Sequence, residues 1–151
     1  MPTARELLPT GAVRPERIIQ PGAAPGLDYA STAVGTVGQI TVEYATSLGQ
    51  AGHALAQNLL GVVEPPYIEM ESQFGVTGGA VTVVVAPLSG HNDGSGGAYH
   101  YGCDFNSGGV LYLDATFANT TVDPTNLELS LYIAELSEAF MGAQGKGWGC
   151  G

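Results

Sequence analysis

Glu135 and Glu138 stand three residues apart in the segment Ile133-Ala134-Glu135-Leu136-Ser137-Glu138-Ala139-Phe140. Residues three apart on a helix share a face, so these carboxylates project side by side and repel each other. Set beside an apolar stripe, such a pair asks for a proton or a cation. Basic neighbours are scarce. Arg5, Arg14, Arg17 and Lys146 are the only bases, so residues 18–145 hold neither Lys nor Arg, yet they carry all of the fourteen acids except Glu6 and Glu16. Each acid in that span must be solvated, cap a helix, accept a backbone hydrogen bond, meet a histidine or bind a cation.

Further ligand types crowd a second segment, where His91, Asp93, His100 and Asp104 lie within fourteen residues and Cys103 follows His100 by three. Cys103 with His100 would make a soft site, and Asp93 with loop carbonyls a hard one suited to calcium. The same residues also read as an exposed loop pair (His91 and Asp93), a turn former (Asp104) and a histidine bonded to a backbone carbonyl (His100). Convergence of Glu135, Glu138, His91, His100 and Asp104 on one point would distinguish a metal site from a scaffold. His53 falls on the wet side of its helix and takes no role. No G-x-S-x-G nucleophile elbow occurs, and GSGG at 94–97 lacks the lysine of a phosphate loop.

These candidates must be positioned by an alternation of strands and helices. Residues 36–44 alternate as a strand, with Ile40, Val42 and Tyr44 on one face. Ala45, Leu48, Gly52, Leu55 and Leu59 then recur at helical spacing, predicting an amphipathic helix over 46–60. Pro66 opens a second short helix through Tyr67, Met70 and Phe74, stopped by Gly75. Residues 81–86, VTVVVA, read as a central strand covered on both faces. Residues 89–97, SGHNDGSGG, read as a flexible loop. Strands over 99–103 and 110–115 would form a hairpin turned by residues 104–109. A long helix over 125–143 follows, with a capping box from Thr125 to Glu128. Its core stripe is expected at Leu129, Ile133, Leu136 and Phe140, with Glu128, Leu131, Glu135 and Glu138 on the adjoining stripe. The result is an α+β domain over 28–151, a small mixed sheet packed on a long C-terminal helix and an N-terminal helix. Residues 1–27, with five of the nine prolines, form an extended arm ahead of it.

This order of elements, with the A-E-L-S-E of residues 134–138 on its last helix, resembles the zincin-like metallopeptidases, whose active-site helix carries H-E-x-x-H. The resemblance spans about residues 36–151, and the run EAFMGAQGKGWGCG from Glu138 looks like a segment of uncharacterised bacterial proteins of this shape. It implies a catalytic base at Glu135 and a ligand at Glu138, with Ala134 standing where the first histidine ligand belongs. His91, His100 and Asp104 are the candidate replacement ligands, for zinc or alternatively calcium. It also implies further residues beyond Gly151, including another acidic motif. Zinc hydrolysis needs three protein ligands and an open water position. The departure at Ala134 therefore implies an impaired peptidase that binds a metal, or a protein or peptide, rather than cleaving efficiently.

The formal charge of −10 argues against nucleic acid and anionic membranes as partners, since both need a basic footprint. No apolar run reaches about 18 residues, so no membrane insertion is expected, and the opening residues lack the apolar core of a secretory signal. Glycine-rich, lysine-poor composition tilts the expectation toward an exported protein, in which Cys103 and Cys150 could pair. An assembly protein is the competing function: the proline-rich arm bearing Arg5, Arg14 and Arg17 would dock on the acidic body of a second copy.

Overall fold

The computed structural model describes residues 29–101, 105–106, 109–117 and 121–145. The arm at 1–27, the Cys103–Cys150 pair and Asp104 lie outside the described residues. Those described form an α+β fold in which a mixed sheet packs against three helices. In chain order these are β1 (Ser31–Val37), β2 (Ile40–Ala45), α1 (Gly49–Leu60), α2 (Glu64–Phe74), β3 (Val81–Ala86), β4 (Ala98–Tyr101), β5 (Val110–Asp114) and α3 (Pro124–Ala143). No helix among the described residues is long and apolar enough to cross a membrane.

The strand order is β1-β2-β3-β5-β4. The inner pairs β2/β3 and β3/β5 are parallel, and the outer pairs β1/β2 and β4/β5 are antiparallel. Strand β3 lies at the centre, as its unbroken β-branched run predicts. The expected single strand over 36–44 is instead a hairpin: Val37 pairs with Ile40 across a turn led by Gly38 at φ +57°, a conformation open to glycine. Strand β1 escapes sequence reading because STAVGTV is small and polar, and it forms an exposed sheet edge.

Side chains alternate across the sheet with a period of two. Ile40, Val42, Val81, Val83, Val85, Leu111 and Leu113 face the helices and form the main core with Leu55, Leu59, Tyr67, Tyr132, Leu136 and Phe140. On the other face Val84 and Ala86 join Tyr99 and Tyr112, whose rings stack at 5.1 Å. Helix α1 opens with a single 3-10 turn, Thr46–Leu48, and α2 starts one turn after α1 ends, with Pro65 and Pro66 in its first turn where their missing N–H groups cost nothing.

Helix α3 is rotated relative to the predicted stripe. Tyr132, not Ile133, is buried, and Ile133 is 37 % exposed. Glu128, Glu135 and Glu138 are buried on the same helix. The anticipated capping box is also replaced. Asp123 caps the helix by accepting from the Asn126 N–H at 3.2 Å, with Pro124 at the first helical position, and this frees Glu128 to turn inward. Tyr132 fixes the rotation by donating its hydroxyl to the Val63 carbonyl at 2.9 Å.

Phe140 closes the C-terminal half of the core, with ring centroids 4.9 Å from Phe105, 5.4 Å from Tyr67 and 5.7 Å from Phe74. Truncating this fully buried hub should be costly. Phe140→Ala is expected to lose about 3–5 kcal/mol of stability, read from the midpoint and slope of urea unfolding.

Candidate metal centre

Register places His100. It pairs with Leu111 across β4/β5, and Leu111 faces the helical layer, so the imidazole points from the edge strand toward α3. On α3, Glu135 and Glu138 project from successive turns onto the same spot. His100 Nδ1 lies 3.0 Å from Glu135 Oε1 and 3.4 Å from Glu138 Oε1. Both carboxyls are buried, and the His100 side chain is only 9 % exposed. One nitrogen between two acids draws the edge strand onto the helix.

The three residues are also placed to hold an ion together, since one ligand atom from each falls within 4.8 Å of the others. Ligand atoms about 2.1 Å from a metal stand about 3.0 Å apart in adjacent octahedral positions and about 3.4 Å apart on a tetrahedron. The two separations from His100 Nδ1, 3.0 and 3.4 Å, fall at those spacings. The donor set, one imidazole and two carboxylates, carries up to two negative charges and suits a divalent transition metal.

Of the residues singled out from sequence, the fold brings His100, Glu135 and Glu138 together and leaves His91 apart. His91 is exposed in the loop over 87–97, its N–H donating to Ser89 Oγ at 3.0 Å, and it acts electrostatically on Asp93 of the same loop. Asp93 is likewise a loop group, its carboxyl held below the usual range chiefly by the Ser95 hydroxyl and also by the Ser95 N–H at 2.9 Å.

The glycine-rich loop is more constrained than its composition suggests. Asp114, at the end of β5, accepts from the Ser89 N–H at 2.8 Å, the Ser89 hydroxyl at 2.8 Å and the Gly96 N–H at 2.9 Å. A bridge between Asp93 and Thr116 fixes its middle. Gly96 is required by crowding, because a Cβ there would lie 2.7 Å from the Ser89 nitrogen and 2.9 Å from Asp114 Cγ. Beneath it, the Thr116 hydroxyl lies 2.7 Å from buried Glu128 Oε2. Asp114, Thr116 and Glu128 escape sequence reading, and the one available signal is a lone acid closing an otherwise apolar strand.

The pairing of His100 with two buried acids has an energetic consequence. His100→Ala would leave two buried acids facing one another, and removing one partner of a buried ionic cluster costs about 3–5 kcal/mol. Unfolding in chelator should show that loss, whereas replacement of exposed His91 by Ala should stay within about 0.5 kcal/mol.

Models of protein families, curated proteins and solved structures were all compared with this chain, and none matches it.

Proposed function

We propose that this domain binds one divalent transition-metal ion between β4 and α3 through His100, Glu135 and Glu138, and that it does not cleave peptides efficiently. The observation that carries the reading is the convergence of three ligand-type side chains from two elements, at ligand-to-ligand spacings, in a core whose described residues include no Lys or Arg. Zinc is the first candidate because it accepts mixed nitrogen and oxygen donors and low coordination number. Calcium fits poorly, since it takes about six to eight oxygen ligands and one of these three donors is nitrogen.

Relative to the zincin pattern, Glu138 keeps the place of the second helix ligand, and His100 supplies from the sheet the nitrogen that Ala134 does not. Glu135 takes a different part. A hydrolytic base must be free to take a proton from metal-bound water, whereas Glu135 reaches the same point as the ligands. With all three groups engaged in binding, the ion serves to tie the edge strand to the helix, and the domain is a degenerate relative of the peptidases rather than an efficient one.

Calorimetric titration of chelator-treated full-length protein tests this. Zn²⁺ should bind with one-to-one stoichiometry and, at about one hundred times its dissociation constant, stabilise the fold by about 2.7 kcal/mol. Glu138→Ala and His100→Ala should each lose the binding heat and the thermal shift, and Ca²⁺ should give neither. Absence of heat with Zn²⁺ and Mn²⁺ would remove the metal reading. Peptide cleavage that Glu135→Gln abolishes would restore Glu135 as a base and overturn the assignment as a binding domain.

A further inference from the structure

Two turns before the candidate metal centre, α3 buries another acid with a different environment. Glu128 is fully buried. Its Oε2 is 2.7 Å from Thr116 Oγ1, and that hydroxyl is also 3.4 Å from the Asp114 carbonyl. A threonine hydroxyl has one proton, so it cannot fully serve both acceptors. With Glu128 ionised, Thr116 donates to Oε2 and the Asp114 carbonyl goes without its proton; a proton on Glu128 would let the carboxyl donate to Thr116 Oγ1 and free Thr116 to donate to that carbonyl. The remaining oxygen, Glu128 Oε1, is buried with no hydrogen-bond partner among the described residues, which a neutral carbonyl oxygen tolerates far better than a carboxylate oxygen.

Among the described residues no Lys or Arg offers a positive counter-charge. From β5 the facing acid is Asp114, beside which Tyr29 is pushed up by burial and by that carboxyl. From the loop, Asp93 is bridged to Thr116, with His91 near Asp93 on the exposed side. Along α3 itself the other charged groups are Asp123 at the cap, Glu135 two turns on and Glu138 one turn beyond it. Asp114 is also the group that clamps Ser89 and Gly96, and the loop packs directly on this corner: a Cβ on Gly94 would meet Thr116 Oγ1 and Leu127 Cδ2, each at 2.8 Å.

We propose that Glu128 is a proton-held latch, whose neutral carboxyl lets the loop over 89–96 close on Thr116 and the start of α3, and whose loss of that proton releases the loop. Burial raises the Glu128 carboxyl from 4.5 to about 8, with Asp114 adding to the rise and the Thr116 hydroxyl opposing it. The closed form therefore binds the proton more tightly than an open form in which Glu128 meets water. Closure is strongest below the ordinary carboxyl range, weakens as pH climbs, and loses nothing more above about 8.

Native-state hydrogen exchange of the full chain, corrected for the intrinsic pH dependence of amide exchange, reads this directly at the Ser89 and Gly96 amides. Their opening constants should rise about tenfold per pH unit between about pH 5.5 and 7.5 and then level off. Amides of α1 should not follow that rise. Glu128→Gln, which keeps a donor and cannot ionise, should hold both loop amides near their low-pH opening at every pH. A flat wild-type profile, or the same slope in Glu128→Gln, would overturn the latch. Should that variant fail to fold, the wild type decides alone: a rise shared equally by the loop and α1 would mean global loosening and reject a local latch.

Discussion

Docking of α3 on the sheet is the constraint on which the rest of the molecule depends. Its inner face mixes Tyr132, Leu136 and Phe140 with three glutamates, so the apolar contacts that hold the helix also carry carboxyl groups out of water. Burying an acid without compensation costs several kcal/mol, comparable to the whole stability of a small domain. The fold solves this with neighbours on the sheet. His100 comes from the edge strand to meet Glu135 and Glu138, and Thr116 follows β5 to meet Glu128. Strand order makes both possible, because β5 and β4 lie together at one side of the sheet, under the helix.

The same geometry explains why a glycine-rich loop holds a definite path. SGHNDGSGG has little apolar surface to pack, and its position comes from polar ties instead. Asp114 gathers three donors from its two ends, and glycine at 94 and 96 permits the close approach that a Cβ would block. A carboxylate accepting several N–H and O–H bonds can be buried without a basic partner, which suits a chain whose described residues include neither Lys nor Arg.

Much of this was legible in sequence where a periodic apolar pattern dominated. The run VTVVVA marked the central strand, and the three- and four-residue spacing through Leu55 and Leu59 marked α1. The spacing of Glu135 and Glu138, with the lack of nearby bases, marked the pair as needing a partner. The identity of that partner depends on the β4/β5 register, which turns His100 toward an acid thirty-five residues away and leaves no local trace; His100 and His91 look equally eligible until the strand turns one inward and the loop leaves the other in solvent. The apolar pattern misplaces the inner face of α3 for a related reason. Hydrophobicity alone favours Ile133, but the helix is rotated by the Tyr132 hydroxyl bond to Val63 and by carboxyls that have partners on the sheet. A buried acid is invisible to an apolar pattern, and Glu128 therefore read as part of a cap.

At its two ends α3 thus meets one electrostatic problem in two chemical settings. Near Thr116 a single carboxyl has a hydroxyl neighbour and, among the described residues, no Lys or Arg, and the smallest neutralising species is a proton. Near His100 two carboxyls converge with an imidazole, and one ligand atom from each lies close enough to the others for all three to hold one ion. A lysine at either place would give permanent charge compensation, since it stays protonated across the ordinary pH range and would block an ion. Among the described residues neither place has one. One helix carries both settings, the corner at Thr116 and, two turns on, the edge strand at His100.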